Sequence, residues 1–168
     1  THSFGCFEDK VLQGVVTSGI PPSPSLCIVV CGEEWKDNVY ELNRLAILEE
    51  HDSNLASYLV ANSMKLMPKP SIIVSYADTS MGHVGYVYQA TNFIYTGLSA
   101  KRNEWREKGK NTHSKSVVEM YSLEERQSNP DRFEHVERPQ KHRYIYFLGS
   151  KKEVKQLNLY LIVSLLSY

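Results

Sequence analysis

Asp78, His83 and Tyr88 follow one another at intervals of five residues in the stretch Ser75 to Phe93, bringing a carboxylate, an imidazole and a phenol into one short segment. A carboxylate that closes a buried strand serves as a general base or metal ligand, because strand ends in open α/β sheets face the ligand crevice. The same residue type also serves as an ordinary turn or helix cap. His83 lies between Gly82 and Gly85, whose small size leaves room for an approaching ligand, although a lone histidine is more often structural. Tyr88 either donates its phenolic proton to a leaving group or packs with its hydroxyl bonded, and position alone favours packing.

The elements that must hold these groups are legible around them. Ser71 to Ala77 is a nearly continuous apolar run, the pattern of a strand covered on both faces. Asn54 to Met67 reads as a helix, with Leu55, Leu59, Met64 and Leu66 as its apolar stripe, Ser53 as N-cap, and Pro68 and Pro70 ending it. Val39 to Leu48 reads as a strand with Tyr40, Leu42, Arg44 and Ala46 on one face, so polar groups occur on both faces, as at the border of a site or at a solvated edge. Strand, helix, strand in this order favours a parallel right-handed unit. The loop Glu49 to Ser57 opens the helix where backbone N–H groups suit a phosphate, but it is acidic and has no glycine; a plain capped corner is the alternative reading.

Further along, Lys141 to Leu148 alternates as a strand, setting His142, Tyr144, Tyr146 and Leu148 opposite Lys141, Arg143, Ile145 and Phe147. Its mixture of cations and aromatics suits phosphates and a stacked base, or equally a solvated edge strand guarded by lysine. Val11 to Ser18 and Leu26 to Cys31 are β-rich runs separated by a proline-rich loop. Ser99 to Pro139 is polar and charged, with helices expected at 101–108 and 123–126 and a short strand at 116–120. Lys151 to Leu161 reads as a closing helix.

At 168 residues with 42% apolar and 23% charged content, the chain suits a single domain, 1–168, with 97–140 as a charged insertion. The formal net charge of zero hides an asymmetry: residues 1–96 hold 5 Lys+Arg against 10 Asp+Glu, and 97–168 hold 14 against 9. The basic half suits a polyanion, or the two halves attract each other. Three cysteines argue against a disulfide framework and for a reducing cytoplasm. Cys27 and Cys31, if on a strand, lie about 13 Å apart, too far to bridge. No spacing suggests structural zinc. The apolar run from Leu157 to Tyr168 is too short for a membrane span. A start at Thr1 and an end inside that run point to missing terminal residues.

Glu41 to Ile47 resembles the fourth strand of the GNAT acyltransferase superfamily; His51 to Ser57 falls at its pyrophosphate loop, and Tyr88 to Phe93 has the spacing of its Tyr-x-x-x-Gly-Phe element. Within that superfamily the chain resembles the phage Mom-type adenine-modification proteins over about residues 11–160. The likeness is carried by Asn54-x-x-Ser57, by Ser75-Tyr76-Ala77-Asp78, by Gly82-His83-x-Gly85-x-x-Tyr88-x-Ala90-x-Asn92-Phe93, and by Lys141-His142-Arg143-Tyr144 through Phe147-Leu148-Gly149.

The resemblance implies an α/β (α+β) fold: a mixed, mostly antiparallel sheet with helices on both faces and a splayed parallel strand pair. It also implies a transferase that places a carbamoylmethyl-type group on the exocyclic amine of adenine in phage DNA and so defeats host restriction. Tyr88 takes the place of the general acid, while Asp78 and His83 match the Mom-type motif and are expected to move a proton or orient the amine. Ala46, Leu48, Asn54, Ala56, Ser57 and Asn92 would line the site of acetyl-CoA or a related acyl-CoA. Lys141, Arg143 and Tyr144 are expected to grip the nucleotide flipped from double-stranded DNA, since a base must leave the stack to react. Iron is associated with such proteins, but no ligand set is assigned here. Asp52 to Ser57 replaces the superfamily's glycine-containing loop and Asn92 its glycine, leaving the donor open between acetyl-CoA, another acyl carrier and something unrelated. Two competing classes stand beside this one: an N-acyltransferase of small amines or proteins, and a non-catalytic protein binding nucleic acid or a host factor.

Overall fold

The computed structural model describes residues 1–49 and 54–166. Strands β1 (His2–Glu8) and β2 (Val11–Gly19) lead into helix α1 (Pro24–Cys31), strand β3 (Val39–Ile47), helix α2 (Leu55–Leu66), strand β4 (Ser71–Asp78), the short helix α3 (Tyr86–Ala90) and strand β5 (Ile94–Leu98). An excursion follows, made of β6 (Arg102–Glu107), α4 (Ser114–Met120), α5 (Leu123–Ser128) and β7 (Phe133–Arg138). The chain returns through β8 (Lys141–Leu148) and closes with α6 (Lys151–Leu166). The main sheet has six strands in the order β1-β2-β3-β4-β8-β5, and β6 pairs with β7 in a separate two-stranded sheet. Only β3 and β4 pair in parallel; the other neighbours in the main sheet are antiparallel. This is the mixed, mostly antiparallel architecture with one parallel pair that the resemblance implies.

The sheet is covered on both faces. Leu59, Val60 and Met64 of α2 pack on Val16, Leu42 and Ile73, while Cys27 and Val30 of α1 and Leu157 of α6 pack on Ile72, Val74 and Ile145. Strand β4 therefore sends alternate apolar side chains into two cores, which is why its sequence is apolar without interruption. Ile72, Ile73 and Ile145 are fully buried, each such side chain stabilising the fold by roughly 1.5–3 kcal/mol relative to exposure.

Three local expectations are corrected. Leu26 to Cys31 is helical, not extended: Pro24 occupies the first turn, and the buried residues Cys27, Val30 and Cys31 recur with helical spacing. The two cysteines sit one turn apart, Cys31 Sγ donating to the Cys27 carbonyl at 3.0 Å, and burial pushes the Cys31 thiol up to about 12. Within the excursion, the segment expected as a helix is strand β6, where Trp105 stacks on His135 of β7 at 4.7 Å. The segment expected as a strand is helix α4, whose first turn is capped by His113 accepting from the Lys115 N–H. Strand β1 had no counterpart in the sequence reading. The excursion has its own small core around Val117 and Phe133, and the Glu107 carboxylate, 4% exposed, accepts from Lys110 and Arg132 at 2.8 Å each.

Candidate active site at the strand splay

Strands β3 and β4 pair from Val39↔Ile72 to Leu42↔Ser75 and no further, although β3 runs on to Ile47 and β4 to Asp78. Their facing backbone edges are therefore unpaired beyond Ser75, and the sheet opens there. A β-bulge adjoins the opening: Thr17 of β2 faces Arg44, Ser18 faces Leu42, and Asn43 is the extra residue. A bulge reverses the alternation downstream. Tyr40 and Leu42 lie on the α2 face, and beyond the bulge so do Leu45 and Ile47 rather than Arg44 and Ala46. Beside the opening, the Ser18 hydroxyl is buried, 1% exposed, with no hydrogen-bond partner among the described residues.

Tyr88 projects from α3 into this opening on the α2 face. Its ring packs against Phe93 at 5.5 Å and Tyr144 at 5.4 Å, and its hydroxyl faces that of Ser75. Burial pushes the phenol up, against the opposing effect of Ser75, so it stays protonated through the neutral range. Ser75 Oγ donates to the Leu42 carbonyl at 3.3 Å, fixing the polar pair at the last rung of the parallel ladder. Tyr86, two residues earlier, points to solvent. The αL backbone after α3 (φ 63°) is met by Asn92, a residue type that tolerates it.

The expected donor-site residues flank the same opening. Ala46 is exposed on the free end of β3, followed by exposed Leu48; Asn54 is the N-cap residue of α2, with Ala56 and Ser57 half-buried in its first turn. The first helical hydrogen bond of α2 runs from the Tyr58 N–H to the Asn54 carbonyl, so the N–H groups before it point out of the helix end. The Ser53 N-cap and the loop residues His51, Asp52 and Ser53 lie outside the described residues.

Asp78 does not join Tyr88. Even-numbered β4 positions such as Ile72, Val74 and Tyr76 face α1 and α6, odd-numbered Ile73 and Ala77 face α2, and Asp78 continues the even series. Its carboxylate accepts from the Ser80 hydroxyl at 2.6 Å and the Ser80 N–H at 3.0 Å and pairs with Lys141 at 3.2 Å. The Ser80 hydroxyl, followed by the Ser80 N–H and Lys141, holds it below the usual carboxylate range, away from the near-neutral pKa that suits a general base. The carboxylate and the phenol that the sequence brings into one short segment thus do not converge: they stand on opposite faces of the sheet. His83 is exposed, and its N–H donates to the Asp78 carbonyl at 3.2 Å.

Tyr144 is corrected as well. It is 2% exposed, and its hydroxyl donates to the Val84 carbonyl at 2.6 Å and accepts from Gln89 at 3.1 Å, so it braces the Gly82–Gly85 loop and contacts no ligand surface. Lys141 and Arg143 point the other way, into a cavity of about 630 Å³ behind the opening. Glu41, Tyr76 and Arg102 also line it, and burial pushes both the Glu41 carboxyl and the Tyr76 phenol up. Glu41 escaped the sequence reading of the site. Its signal was an acidic residue in a strand with polar groups on both faces.

Among the described residues no cluster of three or more His, Cys, Asp or Glu side chains is placed to hold a metal, so no step is derived through iron. No helix among them is long and apolar enough to cross a membrane.

The methylcarbamoylase Mom of Escherichia phage Mu is 31% identical over 97 residues, a match spanning 55% of this chain and 40% of that protein. An N-acetyltransferase from Staphylococcus aureus Mu50 superposes with a TM-score of 0.47 at 14% identity, covering 86% of this chain and 66% of its own. The model of the Mom protein family matches residues 1–163. With nearly its whole length matched, the chain belongs to the Mom protein family.

Proposed function

We propose that this protein is a transferase that modifies the exocyclic amine of adenine in phage DNA with a carbamoylmethyl-type group, protecting the DNA from host restriction. The observation that carries the reading is the Tyr88–Ser75 hydroxyl pair at the point where β3 and β4 part. Family membership supplies the reaction class.

An acyl-CoA bound here would supply an acyl group and release its thiol as the bond to the amine forms; a carbamoylmethyl group, joined through its methylene, would require a related donor that carries the leaving group on that methylene. The donor set fits such a ligand. The free edge of β3 offers backbone groups to an extended amide chain, and the outward N–H groups of Ala56 and Ser57 at the start of α2 suit a pyrophosphate. Ala46 and Leu48 line the strand side, Asn54 the helix start, and Asn92 the turn behind Tyr88. Tyr88, kept protonated by burial, donates its phenolic proton to the leaving group. The acceptor enters from the opposite face, where Lys141 and Arg143 attract the DNA backbone. Asp78 acts there as a positioning residue, holding the Lys141 ammonium at the rim.

The test is mass spectrometry of nucleosides from plasmid DNA of cells that express the protein. A new adenine derivative, with resistance of the plasmid to restriction, is the expected result. Unaltered adenine together with acetyl transfer to simple amines would instead identify an amine acyltransferase, and DNA binding with neither activity would identify a binding protein.

A further inference from the structure

The cavity behind the opening contains an unusual combination. The Glu41 carboxyl accepts no hydrogen bond among the described residues, although Lys141 lies near enough to offset part of its burial. The Arg102 guanidinium makes no hydrogen bond or ion pair among them either, and that of Arg143 uses only Nε, donating to Thr96 Oγ1 at 2.8 Å. The other cations are engaged: Lys141 with Asp78 at 3.2 Å and Arg138 with Glu104 at 3.8 Å. One unsatisfied carboxyl and two available guanidinium groups therefore share a half-open space with the half-buried Tyr76 ring. A polyamine would be repelled by the surrounding cations, and a simple anion by Glu41. A ring bearing an amino group and carrying a phosphate satisfies both sets of partners.

We propose that this cavity holds one nucleotide of the DNA acceptor: Tyr76 packs against its base, Glu41 accepts a hydrogen bond from the amino group, and Arg102 and Arg143 hold its phosphate. The assignment rests on the DNA-modification reading, in which the base is adenine. The volume of about 630 Å³ lies within the roughly 300–1,000 Å³ of small-molecule sites. Position also fits. Glu41 pairs with Val74, one rung before the Leu42–Ser75 rung that Tyr88 faces, so an amine held by Glu41 lies next to the gap between the strands. The excursion takes part as well, because Arg102 opens β6 and Arg138 closes β7, and both line the cavity.

The test uses fluorescence anisotropy with a short labelled single-stranded oligonucleotide carrying one adenine, and the same strand carrying purine, which lacks the amino group. Wild type should prefer adenine over purine by about tenfold, the scale of a specific base contact. Glu41→Ala should erase that preference and leave the salt dependence unchanged, whereas Glu41→Gln, whose amide oxygen still accepts, should keep it. Arg102→Ala combined with Arg143→Ala should weaken binding of both strands about tenfold and make the log–log salt slope shallower by about 0.7, as for one lost phosphate contact. Retention of the adenine preference in Glu41→Ala, or of affinity and slope in the double arginine variant, overturns the assignment. Nucleoside mass spectrometry separates this failure from that of the function: DNA still modified by the Glu41→Ala and arginine variants removes the cavity assignment alone. The predicted binding pattern without altered adenine in wild type supports the cavity and overturns the transferase reading.

Discussion

Replacing Tyr88 by phenylalanine isolates one oxygen atom. The ring contacts with Phe93 and Tyr144 remain, so the core around α3 keeps its packing. Ser75 loses the neighbouring phenol but keeps its bond to the Leu42 carbonyl, so no hydroxyl is orphaned. The stability cost should be that of one hydrogen bond, about 0.5–1.5 kcal/mol. If the phenol is the general acid, modification should fall by roughly 10²–10⁴-fold, a barrier increase of about 2.7–5.4 kcal/mol. Tyr88→Ala should lose the same activity but also cost about 3–5 kcal/mol of stability, as truncation of a packed aromatic does. Thermal unfolding and single-turnover modification of a defined duplex, followed by nucleoside mass spectrometry, measure the two quantities separately. Tyr88→Phe retaining activity within about threefold of wild type would refute proton donation, since an acid–base group contributes at least roughly a hundredfold. Activity lost only in proportion to stability would reduce Tyr88 to a packing residue.

Two glycines of one loop should respond unequally to alanine. Both have positive φ, 67° at Gly82 and 74° at Gly85, but an added Cβ at Gly82 meets nothing within 4 Å, whereas at Gly85 it falls 2.5 Å from Tyr144 Cε2. Gly82→Ala should cost about 1–2 kcal/mol from backbone strain, and Gly85→Ala clearly more; equal losses in chemical denaturation would contradict the loop packing. Ser18→Ala should stabilise the protein by about 1 kcal/mol, because it removes a buried hydroxyl that lacks a partner among the described residues; a destabilised variant would reveal a bond to bound water. Glu107, held below its usual range by Lys110 and then Arg132, should stabilise the excursion above the ordinary glutamate pKa near 4.3, an effect lost as pH falls through its depressed value. Hydrogen exchange should show β6 and β7 losing protection on acidification, with Glu107→Gln flattening that dependence; protection that is independent of pH would count against the ion cluster.

Strands with a clear period were legible from sequence. β4 declared itself by an apolar run that only two-sided burial explains, and the two faces of β8 were assigned correctly by simple alternation. α1 was not legible, because in LCIVVC nearly every side chain is apolar and the helical and extended periods fit equally well. β6 and α4 were exchanged because charged side chains dominate the first and adjacent β-branched Val117 and Val118 mark the second, and tertiary partners such as the His135 ring decide the outcome. Within the candidate site, Tyr88 was singled out by its motif, whereas its position alone favoured packing. The separation of Asp78 from it was not legible, because side-chain direction depends on strand parity relative to a sheet not yet built. The bulge at Asn43 left no trace in composition, yet it sets which residues of β3 face α2.

The excursion departs from and rejoins the main body at the cavity wall, through Arg102 and Arg138, and leaves Ser75 and Tyr88 untouched. Changes in the excursion would therefore reach the cavity wall without touching the Ser75–Tyr88 pair. A swapped or resized hairpin would alter the walls formed by Arg102 and Arg138 while Tyr88 keeps its packing against Phe93 and Tyr144.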